Sequence, residues 1–145
     1  MHERRGARSW ALQVLYAWES RGSSSVRDVL NEFYECRSVA QVKRPYLREL
    51  VGLLDEHLPE IDRALDGALT NWRLERLSVI DRNILRIGAA ELMLQDDVPP
   101  RVAISEALVL AEKYGSEESV RFVNGVLDAL RREQRGAGAG GGVRH

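Results

Sequence analysis

Cysteine is almost missing from this chain: Cys36 is the only one. One thiol cannot close an internal disulfide, and a lone cysteine with no histidine close by makes a poor zinc ligand set. The histidines, His2, His57 and His145, are scattered, two of them near the termini. No apolar run approaches the roughly 18 residues of a membrane span, and the opening Met-His-Glu-Arg-Arg-Gly-Ala-Arg lacks the apolar core of a secretory signal. There is no phosphate-binding glycine loop, metal-ligand spacing or nucleophile elbow. No stretch alternates apolar and polar residues as a half-buried strand does. These absences leave enzyme chemistry no foothold and predict a cytoplasmic, all-helical protein without metal or cofactor.

Lysine is nearly absent too. Of the 21 basic residues only Lys43 and Lys113 are lysine, and the rest are arginine. Arginine suits phosphate and base-edge recognition, although the codon bias of a GC-rich genome gives the same skew. The net charge of −1 argues against a protein that binds nucleic acid over its whole surface and leaves room for a local basic patch. A hydrophobic share of 44% in 145 residues supports one globular domain with a real core.

Apolar residues recur at helical spacing throughout. From Arg4 to about Arg21, Ala7, Trp10, Ala11, Val14, Leu15 and Trp18 form one face. Arg5, Leu12 and Tyr16 fall on the far side at about 100° per residue, with Arg4 and Arg8 on the flanks. Aromatics beside arginines on a solvent face can stack on bases while the cations neutralise phosphate; packing beneath a neighbouring helix would explain Tyr16 as well. Gly22 to Ser25 breaks the chain and supplies an N-cap for a helix with the stripe Val26, Val29, Leu30 and Phe33. A third helix spans about Val42 to His57. A fourth opens at Pro59 and carries Ile61, Ala64, Leu65, Ala68, Leu69 and Trp72.

Ser78 caps a fifth helix running to about Gln95, with Ile80, Ile84, Ile87, Gly88 and Leu92 on one face and Arg82 and Arg86 on the other. Glu91 lies in the middle of the apolar stripe. A carboxylate there is costly unless paired or hydrogen-bonded, so it predicts a structural tie to a neighbour's backbone or an arginine. One acid with no partner at readable spacing is a weak basis for a hydrolase. After the loop Asp96–Pro100 a sixth helix spans Val102 to Tyr114, stopped by Gly115 in the manner of a C′ glycine. Ser116 caps a seventh that fades after Glu133, and the glycine-rich residues 134–145 read as a flexible tail. In that last helix Val120, Val123, Val126, Leu127 and Leu130 form the stripe, while Phe122, Asn124 and Gly125 fall off it. A mid-helix glycine costs on the order of 1 kcal/mol, so either a packing neighbour or a partner needs its missing side chain.

Four blocks stand in a specific order and spacing: Ile84-Leu85-Arg86-Ile87 followed by Glu91-Leu92; Val98-Pro99 with Val102-Ala103-Ile104-Ser105-Glu106-Ala107; Leu110-Ala111-Glu112-Lys113-Tyr114; and Phe122 to Asp128. Together they resemble the NusB family of bacterial transcription antitermination factors. An early arginine cluster leading into Ala11-Leu12-Gln13-Val14-Leu15-Tyr16 also fits. The resemblance implies a NusB-like all-α fold of about seven helices within residues 1–133, in two small bundles at about 4–72 and 78–133. It implies no enzyme activity. The partners it implies are boxA-type single-stranded RNA of nascent ribosomal RNA, the small-subunit ribosomal protein NusE, other Nus factors and RNA polymerase.

Carried over residue by residue, the resemblance places Arg4, Arg5, Arg8, Tyr16, Arg86, Glu118, Arg121, Phe122 and Asn124 at the RNA face and Asp81 at the NusE interface. The arginine run departs from the family's denser pattern: Gly6 and Ala7 interrupt it and Glu3 precedes it. Fewer phosphate contacts mean weaker, less salt-dependent RNA binding. Two alternatives stand beside this expectation. One is a helical interaction module or homodimer with no RNA role. The other is the NusB-like domain at the front of some ribosomal RNA cytosine methyltransferases.

Overall fold

The computed structural model describes the backbone of residues 2–22 and 25–144 and the side chains of 3–22 and 25–136. Every regular element among them is helical. The six α-helices are α1 (His2–Arg21), α2 (Val26–Cys36), α3 (Arg44–Ala68), α4 (Val79–Leu94), α5 (Pro100–Tyr114) and α6 (Glu117–Arg144). Short 3₁₀ turns at Gln41–Lys43 and Leu74–Arg76 precede α3 and α4. The expected count of seven falls to six because the third and fourth join as α3 across a kink at His57 (φ −115°, ψ 18°). Pro59 explains the kink: its ring leaves no N–H for the ladder and crowds the carbonyl four residues back.

Local chemistry sets the helix ends. The hydroxyls of Ser25, Ser78 and Ser116 each accept from the backbone N–H three residues on, all at 3.1 Å, which satisfies donors the first turn leaves open. Gly22 closes α1 at φ 78°, the left-handed region glycine enters without penalty. Gly115 ends α5 at φ −106°, so it is not a left-handed cap. Pro100 stands at the first position of α5, where a missing N–H is harmless. Beyond the expected end at Glu133, α6 stays helical to Arg144, and its side chains from Arg132 to Gly136 are all exposed.

At the centre lies α4, packed by α1, α3, α5 and α6. Every residue from Arg82 to Glu91 is buried, as a helix enclosed on all sides requires. Arg82 and Arg86, expected on the face opposite the apolar stripe, are therefore buried as well. A single helix's periodicity marks the face packed first and cannot register a helix arriving on the second side. Gly88 lets α4 and α6 approach closely: a Cβ there would come within 2.6 Å of Leu127 Cδ1 on α6. Leu12, expected on the solvent face, is buried, and one continuous set of buried side chains runs from Ala7 to Leu130. Trp72 is the opposite correction. The stripe of α3 was extrapolated to it, but the helix stops at Ala68 and leaves the indole 59% exposed.

Candidate nucleic-acid interface

The arginines at the start of α1 are engaged by carboxylates of the α4–α5 region. Arg4 reaches Asp97 at 2.7 Å and lies over the Tyr46 ring, 4.5 Å from its centroid. Arg5 grips Glu106 through two bonds, of 3.0 and 2.7 Å, in the bidentate geometry guanidinium favours. Arg8 is only 2% exposed; it donates to Glu91 at 2.8 Å and Glu106 at 3.3 Å. The expected RNA contact at Arg8 is therefore corrected: its charge is spent inside the protein.

Glu91 has the partner its position demanded, and Tyr46 adds a hydroxyl donor to the same oxygen as Arg8. Burial pushes the Glu91 carboxyl up, against the pull of Arg8 and Tyr46. Burial likewise raises the Tyr46 phenol, helped by the Glu91 charge. At Glu106 the hydrogen bonds from Arg5 lead, and the carboxyl lies below its ordinary range; the same effect of Arg4 lowers Asp97.

Arg86 is the second correction. Its guanidinium is buried against Trp18, bonded twice to Asp62 (2.9 and 3.0 Å) and once each to Glu19 (3.0 Å) and Asn83 (2.9 Å). Arg82 shares Glu19 and also donates to the carbonyls of Leu74, Glu75 and Leu77. It thereby gathers the turn that leads into α4. Burial raises the Glu19 carboxyl, but hydrogen bonds from Arg82 and Asn83 outweigh it and the net direction is down. Both arginines tie α4 to its neighbours, and with Glu19 and Asp62 they line a polar cleft of about 320 Å³.

The remaining expected residues lie outside. A cleft of about 350 Å³ is lined by Asp81, Glu118 and Phe122, with Trp72, Arg76 and Ser116 among its other walls. Asp81 Oδ1 is buried there with no hydrogen-bond partner among the described residues. Trp72 and Phe122 also line a second cleft, of about 320 Å³, with Arg121, Gly125, Thr70 and Arg132. A Cβ at Gly125 would meet nothing within 4 Å, so no intramolecular packing explains that glycine. Asn124 is exposed on the same helix but lines neither cleft.

Tyr16, 50% exposed, walls a third hollow of about 210 Å³ with Phe33, Arg37, Ile80 and Tyr114. No residue lines both this hollow and the Phe122 cleft, although Ile80 and Asp81 are consecutive on α4. Arg4 and Arg5 lie further off, Arg5 roughly 16 Å from Tyr16 along α1 at 1.5 Å per residue. The structure thus gathers Asp81, Glu118 and Phe122 around one cleft and Arg121 and Phe122 around a second, sets Tyr16 in a separate hollow and leaves Arg4 and Arg5 further along α1. Two participants were missed in the sequence: Trp72, assigned to the core, and Glu106, whose burial depends on Arg5 and Arg8 about a hundred positions away.

A family model described as the NusB family matches residues 5–132. The chain belongs to the NusB family. The transcription antitermination protein NusB of Sorangium cellulosum (strain So ce56) is 47% identical over 130 residues, covering 90% of this chain and 92% of that protein. Its counterpart in Solibacter usitatus (strain Ellin6076) is 44% identical over 135 residues, covering 92% and 91%. Among solved structures, a chain from a crystal structure of the antitermination factors NusB and NusE in complex with dsRNA superposes with a TM-score of 0.81. It is 33% identical, over 92% of this chain and 98% of that one. The all-helical NusB architecture anticipated from the sequence is the one observed. None of the described helices is long and apolar enough to cross a membrane.

Proposed function

We propose that this chain is a transcription antitermination factor that binds boxA-type RNA of nascent ribosomal RNA together with NusE. In this role it helps RNA polymerase, with other Nus factors, pass sites of premature termination. The observation that carries this is the match of nearly the whole chain to a component of the NusB–NusE–dsRNA structure. The work is done in the cytoplasm, by binding alone, with no cofactor and no catalysed step.

The RNA surface we assign runs across Phe122, Arg121 and Asn124 on α6, includes Tyr16, and continues to Arg4 and Arg5. Phe122 and Tyr16 offer faces on which unpaired bases stack, and Trp72 adds a third beside Phe122. The exposed, unpacked Gly125 lets a backbone or base come close to α6. Glu118, exposed among these groups, repels phosphate and so restrains affinity. Asp81, in the first turn of α4 on the wall of the Phe122 cleft, is assigned to the NusE interface.

A reconstituted transcription reaction tests this. With RNA polymerase, the other Nus factors and NusE present, adding the chain should raise terminator readthrough on a template carrying boxA and not on one with boxA scrambled. Equal readthrough on both templates would overturn the proposal.

A further inference from the structure

The arginine run of α1 is interrupted by Gly6, and the structure fills the gap from elsewhere in the chain. Lys43 ends the 3₁₀ turn Gln41–Lys43, which packs against α1. Its side chain lies across the helix at Gly6, so close that a Cβ there would stand 2.5 Å from Cε and 2.9 Å from Nζ. Only glycine leaves that seat open. The half-buried stem of Lys43 therefore runs along the start of α1, and its ammonium sits within the arginine cluster.

The charges there are unequally committed. Arg4 is held by Asp97, Arg5 by Glu106 and Arg8 by Glu91 and Glu106. Among the described residues, no carboxylate stands within ion-pair distance of the Lys43 ammonium. A guanidinium already paired with a carboxylate must break that contact or share it before it can bind phosphate. An unpaired ammonium does neither, and lysine serves phosphate well as a point charge.

We infer that Lys43 is a phosphodiester-binding residue of this surface, seated on Gly6 so that it replaces the missing arginine in the run. This rests on the RNA-binding function proposed above and adds a residue from outside α1 to it. Neutralising one phosphate of a single strand contributes about 0.7 to the slope of log affinity against log salt.

The test is titration of the full chain, with NusE, against boxA-like RNA over a range of salt concentrations. Lys43→Gln should flatten the slope by about 0.7 and weaken binding about fivefold at 0.1 M salt, the factor that slope implies. Lys43→Arg should keep both. Gly6→Ala should reproduce the loss with no fall in Tm, because the atom displaced is the far end of a flexible side chain. An unchanged slope in Lys43→Gln, with the unaltered chain binding normally, would overturn this inference alone. An unchanged slope in Gly6→Ala would overturn the seat. Failure of the unaltered chain to bind RNA would overturn both this inference and the function beneath it.

Discussion

At the scale of single residues, burial decides what a charge is for. Arg8 and Glu91 are 2% and 1% exposed, joined at 2.8 Å, and each is the reason the other is tolerated. Removing one member of such a pair strands its partner. Arg8→Ala should therefore cost about 3–5 kcal/mol in urea unfolding. A loss under about 1 kcal/mol would mean the pair is solvated and open to other work, by the measure of exposed ion pairs. Glu118 is the converse, an exposed acid beside Phe122. Glu118→Asn should tighten boxA-like RNA binding, and unchanged or weaker affinity in a direct titration would remove Glu118 from the RNA path. The need of Glu91 for a partner was legible in the sequence, since a carboxylate amid an apolar stripe must be met by something. The partner itself was not: Arg8 is far away in the chain, and only the packing of α1 on α4 brings them together. Arg8 and Arg86 looked like free cations for the same reason.

At the scale of elements, two mid-helix glycines do opposite jobs. Gly88 sits where α4 meets α6, against a fully buried Leu127. Gly88→Ala should destabilise by about 1–3 kcal/mol, the usual penalty of overpacking. Gly125 faces open space, so Gly125→Ala should stabilise by about 0.5–1 kcal/mol through helix propensity while weakening RNA binding. Thermal unfolding and RNA titration on the two variants check both signs. A Gly125→Ala variant that gains stability and binds RNA unchanged would free that glycine of any part in recognition. The helices themselves were readable: serine caps, the stripe of α2 and the proline start of α5 are local signals that the structure keeps. Trp72 was misjudged because a stripe carries no notice of where its helix stops.

At the scale of the molecule, the same arginine–carboxylate ties couple stability to pH. Glu19 and Glu106 both lie below their ordinary value of 4.5. A depressed carboxyl contributes stability that is present above the unfolded value and is lost as pH falls through the folded one. Glu91 runs the other way: raised by burial, it disfavours the fold as pH rises through its folded value. With Glu19, Glu106 and the exposed Asp97 depressed against one raised group, Tm should fall as pH drops below about 4.5, and Glu106→Gln should make that fall shallower. A Tm that rises on acidification would show that the buried Glu91 dominates. The internal ties also bear on RNA. Because Arg4, Arg5 and Arg8 already hold carboxylates, the proposed RNA surface has few cations free for phosphate, and the salt dependence of binding should be modest.

The most direct measurement is titration of boxA-like RNA against a scrambled control, with and without NusE, at two salt concentrations. Selective binding that strengthens when NusE is added and weakens with salt is the predicted result. Indifference to sequence under every one of these conditions would contradict it and leave a helical protein-interaction module in its place.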